Sequence, residues 1–314
     1  MPYTAMKNIL ALILTALLAA SACFGANYSP DKTGSFRLPP RNKKEVVIVA
    51  NRGYSSNFPE NTLIAIQKAA ETGCDMIMAD VRSSRDNVPV LLKDAELDRT
   101  TNAAGDIKGK TFQDLQACRA GYTEIFGSAF AEEGIPSLEE TLTLYRRTRF
   151  MLNIYSAFDI SLAREAMKKA RYSEKNAILT LNTLEDVSTA RGARFGGRVY
   201  LRSPLEDYFA SDNKSAWIEA AKKSGAEGFV VSYADMFGVL SATQRGIFMV
   251  QCSKSKLPVY VIGAANAGEI QSAMEYQLKG LIGKKGYVGK FAGVITADPG
   301  RAMLIAGRLK ATKL

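Results

Sequence analysis

Short apolar runs alternate with amphipathic stretches along most of this chain. Glu45–Ala50 (EVVIVA) is a nearly continuous β-branched run, as expected of a strand buried on both faces. A helix is expected over Asn61–Thr72 and a second apolar strand near Met76–Val81. Similar strands recur at Phe150–Tyr155, Ala177–Leu181, Val199–Arg202, Phe229–Ser232, Val259–Ile262 and Gly293–Thr296. Helical stretches separate them at Ser137–Arg147, Ser161–Arg171, Leu184–Ala193, Lys214–Ser224, Gln244–Ser253 and Ala267–Tyr276. Strand followed by helix, about eight times over, implies a parallel sheet, and the closed (β/α)8 TIM barrel is its expected form at this length. An open doubly wound sheet is the alternative. The one long departure, Arg82 to Pro136, holds an extra apolar segment, Val88–Leu92, and a polar loop rich in Asn, Gly and Lys.

The N-terminal residues break this rhythm. Lys7 precedes an apolar run from Ile9 to Ala20, and small residues lead to Cys23, the three parts of a secretory signal. Met6-Lys7-Asn8 offers a second natural start. The run is short for a membrane span, which needs about 20 apolar residues. Residues 1–22 are therefore expected to be a cleaved signal and residues 23–44, with Pro30, Gly34, Pro39 and Pro40, a linker or arm. Residues 45–314 form the barrel on this reading. Ala20-Ser21-Ala22-Cys23 weakly resembles a lipobox, which opens membrane attachment through a lipidated Cys23 as an alternative to plain cleavage. The expected location is periplasmic or extracellular. Cys74, Cys118 and Cys252 lack metal-like spacing and read as core thiols, or at most one disulfide pair.

Composition adds two constraints. Of 314 residues, 41 are Lys or Arg and 31 Asp or Glu, giving a net charge of +10 that favours anionic partners in general. The basic residues are spread rather than clustered, and no nucleic-acid motif accompanies them, so nucleic acid is not an expected partner. The chain contains no histidine, which excludes Ser-His-Asp, Cys-His and zinc–histidine chemistry. Proton transfer would fall to Lys, Tyr, Asp or Glu.

Barrel enzymes place their chemistry at the C-terminal ends of strands. Those ends read Ala50-Asn51-Arg52-Gly53 with Pro59-Glu60-Asn61-Thr62, then Met78-Ala79-Asp80-Val81, Leu92-Lys93-Asp94 and Leu97-Asp98-Arg99-Thr100-Thr101-Asn102 with Gly105 beyond. Ile135-Pro136-Ser137-Leu138-Glu139-Glu140, Leu152-Asn153-Ile154-Tyr155 and Gly293-Val294-Ile295-Thr296-Ala297-Asp298-Pro299 follow. In this order the series resembles the glycerophosphodiester phosphodiesterase family. Its patterns are His-Arg-Gly, Pro-Glu-Asn-Thr, Glu-Leu-Asp-Val, His-Asp, Leu-Asp-Arg-Thr-Thr-Asn, Ile-Pro-Thr-Leu-Glu-Glu, Asn-Ile-Glu-Ile-Lys and Gly-Ile-Ile-Thr-Asp. Coverage is strong over residues 46–105, fair at 135–156 and 293–299, and weak between. The resemblance implies a barrel of the phospholipase-C-like phosphodiesterase type, phosphoric diester hydrolysis, a role in lipid metabolism and a divalent cation such as magnesium or calcium.

The departures fall on that chemistry. The family's two histidines correspond to Asn51 and Lys93, and its three metal-binding carboxylates to Met78, Asp80 and Tyr155. The lysine beyond the third carboxylate corresponds to Ala157. No divalent cation and no confident catalytic residue are expected. The retained Arg52 suits a phosphate or sulfate. Losing two carboxylates and gaining Lys93 changes the implied pocket charge by about +3.

Arg52, Lys93, Asp80 and Tyr155 are the expected anion-binding set, with Asp80 better placed as a partner for Arg52 or Lys93 than as a metal ligand. Asn51 reads as structural. Glu60 or Asn61 sits where a helix N-cap belongs, Asp98, Arg99 and Asn102 read as loop-shaping, and Trp217 as core or interface. Asp159, Glu206, Asp207, Asp235 and Asp298 lie near strand ends and could rebuild a metal site. Three functions stay open: a pseudoenzyme binding a small anion such as a glycerophosphodiester, an active phosphodiesterase with a rearranged site around Lys93, Tyr155 or Asp80, and a basic envelope scaffold.

Overall fold

A computed structural model describes residues 47–279 and 291–311. The expected signal, the arm and Cys23 lie outside the described residues. Eight parallel strands close on themselves: β1 (Ile48–Asn51), β2 (Met76–Ser83), β4 (Phe150–Ile154), β5 (Ala177–Leu181), β6 (Arg198–Arg202), β7 (Phe229–Ser232), β8 (Val259–Ile262) and β9 (Phe291–Thr296). β1 pairs with both β2 and β9, which completes the (β/α)8 barrel and sets aside the open sheet. The extra segment is β3 (Pro89–Leu91), antiparallel to the end of β2.

Two side-chain parities build two cores. Val49, Met76, Met78, Met151, Ile178, Tyr200, Val230, Tyr260 and Ile295 fill the barrel interior. The alternate residues, among them Ile48, Ile77, Phe150, Leu179, Val199, Phe229 and Val261, pack outward against the helices. Strands that are apolar on both faces follow from this double burial, since the side-chain period is 2.

Around the barrel run α1 (Leu63–Glu71), α2 (Leu138–Leu144), α3 (Ala157–Lys169), α4 (Leu184–Gly192), α5 (Lys214–Ser224), α6 (Ala242–Lys254), α7 (Ala267–Lys279) and α8 (Pro299–Ala311). The N-cap of α1 is Thr62, not Glu60 or Asn61, with its hydroxyl accepting from the Ala65 amide. Asn61 has φ of 60° and turns its side chain into the barrel mouth instead. Helix α8, and the short helices Phe112–Ala117, Thr123–Phe126 and Leu205–Ala210, were not expected. Cys74, Cys118 and Cys252 are buried core thiols. Trp217 packs edge-on to Tyr208 and tilted against Phe229, a helix-to-core contact. Among the described residues no helix is long and apolar enough to cross a membrane.

Candidate functional site

The inward parity that fills the barrel with apolar side chains turns polar at its C-terminal end. Beyond Met76 and Met78, β2 continues inward with Asp80 and Arg82; beyond Met151, β4 continues with Asn153, and Tyr155 follows just past its end; beyond Tyr200, β6 ends with Arg202. The strand register sets Asp80 beside Asn153 and Asn153 beside Thr180. Arg52 follows the inward Asn51 and would point outward by parity. Its left-handed φ of 56° and the Gly53 turn behind it bring the side chain back over the mouth. Gly53 has φ of 81°, and a Cβ there would stand 2.5 Å from the Ala65 backbone, so the turn demands glycine.

Asp80, 2% exposed, is the centre of the site. Its Oδ2 accepts from Arg52 Nε at 2.8 Å and Asn61 Nδ2 at 3.2 Å. Its Oδ1 accepts from Asn153 Nδ2 and Tyr155 Oη, each at 2.7 Å. Asn153 is held in turn by the Thr180 hydroxyl, and Asn61 accepts from the Asp80 amide at 3.0 Å. Burial alone would raise the Asp80 carboxyl, but the Arg52 charge and the bonds from Asn153, Tyr155 and Asn61 outweigh it and hold the group below its ordinary value. Burial and the Asp80 charge push the Tyr155 phenol up to about 12, so it stays a hydrogen-bond donor at neutral pH. Arg52 is raised against its own burial by Asp80 and Glu60.

A chain of ion pairs leads outward. Arg52 Nη1 reaches Glu60 at 3.0 Å, Arg99 reaches Glu60 at 2.6 Å and Asp94 at 2.5 Å, and Lys93 stands 3.7 Å from Asp94. The expected anion-binding set is therefore only partly available. Arg52 is largely consumed by two carboxylates, and Lys93 pairs with Asp94 rather than Asp80. Glu60 is not a cap, and Arg99 does more than shape its loop: both link that loop to Arg52. Asp98 and Asn102 do shape it, accepting from the amides of Gly105 and Arg119. The Asn51 carbonyl accepts from Ser55, in keeping with a structural part.

Two cations were missed. Arg82 lies 4.2 Å from the Tyr155 ring centroid and Arg202 5.0 Å from it. Arg82 Nε donates to the Lys93 carbonyl and Arg202 to the Asn182 side chain, and neither has a carboxylate partner among the described residues. The signal that would have found them is register: both share the inward parity of their strands.

A polar, arginine-lined mouth on a closed (β/α)8 barrel defines a barrel protein whose strand C-terminal end suits an anion. Residues 52–200 match the glycerophosphoryl diester phosphodiesterase family. The glycerophosphodiester phosphodiesterase of Caldanaerobacter subterraneus subsp. tengcongensis is 35% identical over 229 residues, which span 65% of this chain and 93% of that protein. The chain belongs to the glycerophosphodiester phosphodiesterase family. The solved structure of the Thermotoga maritima glycerophosphodiester phosphodiesterase superposes with a TM-score of 0.61 at 21% identity, over 81% of this chain and 96% of that one. An Oleispira antarctica phosphodiesterase, solved with its product sn-glycerol-3-phosphate, superposes at 0.67 with 17% identity, over 84% and 97%. Identities this low carry the fold alone.

The divalent cation that the family implies does not fit the residues present. Magnesium and calcium require six or more hard oxygen ligands, with carboxylates supplying most of the affinity. Asp80 is the one carboxylate at the three family positions, and four donors already occupy its two oxygens. Met78 belongs to the apolar interior, 1% exposed. The other carboxylates do not rebuild a site. Asp159 accepts from Ser83 and Ser156 and lies 3.9 Å from Lys108; Asp298 caps the start of α8 through the Arg301 amide. Glu206 and Asp207 sit in the short helix after β6 and Asp235 in a π-turn after β7. Among the described residues, no group of three or more His, Cys, Asp or Glu side chains could hold a metal ion.

Proposed function

We propose that this protein is a catalytically degenerate member of its family that binds a small phosphodiester or related anion at the barrel mouth without cleaving it. The observation that carries this reading is the saturated Asp80 carboxylate. Phosphodiester cleavage needs a group to move protons and a cation or its equivalent to stabilise developing charge. Asn51 cannot take a proton at neutral pH, Tyr155 keeps its own, and Lys93 is turned to Asp94 at the rim. Asp80 cannot act as a base while four donors, Arg52 among them, hold it ionised. What remains is recognition, for which arginine forks are well suited. The Oleispira antarctica relative, with glycerol phosphate in a barrel of the same fold, supports this ligand class.

The test is phosphorus NMR on the purified protein with glycerophosphocholine, with and without magnesium or calcium, beside titration calorimetry on the same sample. Binding with no release of glycerol phosphate is expected. Turnover with either metal that disappears in Lys93→Ala would instead establish the active reading. We also propose export directed by residues 1–22, which N-terminal sequencing of the mature protein checks; a mature chain still beginning at Met1 or Met6 refutes it.

A further inference from the structure

Arg82 and Arg202 set this mouth apart, because their charge is unmatched. Five cations, Arg52, Arg82, Lys93, Arg99 and Arg202, face three carboxylates there, Glu60, Asp80 and Asp94. The carboxylates are all engaged by Arg52, Arg99 and Lys93. Both remaining guanidinium groups stand over one ring, Tyr155, so their separation is at most the sum of the two ring distances. The ring's π face attracts each cation; Arg202 Nη2 also donates to the Asn182 side-chain oxygen at 2.6 Å, while Arg82 is bonded through Nε, to the Lys93 carbonyl. Two like charges held this close at a half-buried surface repel one another. A doubly accepting anion seated at the edge of the ring would offer an oxygen to each.

Beneath them, Arg52 already supplies a fixed positive charge to Asp80, in the place where a cation would otherwise neutralise that carboxylate. The guanidinium is covalently attached, so it neither dissociates nor responds to chelators.

We propose that this barrel holds its phosphate-bearing ligand independently of any divalent cation, with Arg82 and Arg202 gripping the phosphate oxygens across Tyr155 and Arg52 standing in for the absent metal charge. This rests on the anion-binding reading above and adds to it the residues responsible and the lack of metal dependence. The ligand chemistry is a phosphate carrying at least two accessible oxygens, as an ester or as the free ion.

The experiment is titration calorimetry of the full-length mature protein with glycerol 3-phosphate, inorganic phosphate and glycerophosphocholine as separate probes. Each titration is run in excess EDTA, in calcium and in magnesium. Dissociation constants agreeing within about twofold across the three conditions are expected, since no ligand oxygen is bound through a metal. Arg202→Gln and Arg82→Gln should each weaken the bound probe about tenfold or more, the loss of a charge-assisted pair. Both residues are partly exposed, so the variants should melt close to the parent protein, and that melt is measured alongside. Tighter binding of an ester than of inorganic phosphate identifies an esterified ligand, and the reverse order a phosphate-ion site; either is consistent with the proposal.

Binding that appears only with calcium or magnesium overturns the metal-independent arrangement while leaving the anion-binding reading intact. Binding unchanged in both folded arginine variants overturns the assignment of residues. No binding of any probe under any condition removes the anion-binding reading itself, and this inference with it.

Discussion

Replacing Asp80 by asparagine changes one oxygen for one nitrogen in a side chain that is almost wholly buried. All four partners of the native carboxylate approach as donors: Arg52 and Asn61 on one oxygen, Asn153 and Tyr155 on the other. An amide has one accepting end, so either orientation sets its NH2 against two donors, of which only the Tyr155 hydroxyl can reverse its part. The substitution also strips Arg52 of its closest counter-charge. Removing one partner of a buried ion pair typically costs about 3–5 kcal/mol. Arg52 keeps Glu60 and some solvent contact, so the lower end, about 3 kcal/mol, is appropriate here. In a domain of this size roughly 2 °C of melting temperature accompanies each kcal/mol, giving a drop of about 6 °C.

The assay is thermal unfolding followed by far-ultraviolet circular dichroism, with urea denaturation to fix the free-energy scale. A cycle with Arg52→Met should return a coupling of about 2 kcal/mol. The sign is the critical part. A carboxylate kept for metal binding or catalysis is commonly a source of strain, and neutralising it tends to stabilise the fold. An Asp80→Asn protein that melts at or above the parent temperature would refute the view that Asp80 is held as a structural anion.

Three further outcomes follow from the same contacts. Thr62→Ala removes the hydroxyl that caps α1 and bonds the Pro59 carbonyl, and should cost about 1 kcal/mol in urea unfolding. Gly53→Ala combines a left-handed φ with a backbone clash; a loss exceeding about 2 kcal/mol is expected by the same measurement, and a neutral result would mean that the β1–α1 turn differs from the one described. Tyr155 titrates near 12 when folded and near 10 when unfolded, so its raised value contributes stability that is whole below about pH 10 and lost as pH rises toward about 12. Tyr155→Phe should therefore flatten the pH dependence of unfolding in that window by about 1.4 kcal/mol per pH unit, and an unaltered slope would contradict the burial of this phenol beside the Asp80 carboxylate.

The barrel was legible because its strands are largely buried on both faces and the helices α1 to α6 each bury one. Periods of 2 and 3.6 therefore alternate with little interruption, and Ala177–Leu181, Phe229–Ser232, Val259–Ile262 and Lys214–Ser224 match their expected spans to the residue. Helix α8 was missed because Pro299, Gly300 and Gly307 dilute its helical signal, although a proline at the first helical position is favourable. Within the site, the pairing of Arg52 with Asp80 could be expected from charge and motif position. The part played by Asn61 could not. A short polar residue before an amphipathic run reads locally as a cap, and only the approach of β2 gives its amide both the Asp80 carboxylate and the Asp80 backbone to bind. Arg82 and Arg202 were within reach of strand register: each occupies the inward position that follows the apolar run of its strand, outside the family motifs.

Met78 and Tyr155, at the positions where the family resemblance implies metal carboxylates, make physical sense together better than one at a time. A mouth stripped of its cation but keeping three carboxylates would hold like charges in a half-buried cluster, an arrangement that protonation or unfolding relieves. Here Met78 joins the apolar floor formed with Met76 and Met151, and Tyr155 replaces an acceptor by a donor aimed at the surviving carboxylate. Asn153 and Asn61 supply two further donors without charge. Arg52 then balances the one anion left. Of these residues only Tyr155 both stands at a family carboxylate position and donates to Asp80, which is the hydrogen-bonded hub of the mouth. Two cations without carboxylate partners among the described residues, Arg82 and Arg202, lie one layer outward and are partly exposed.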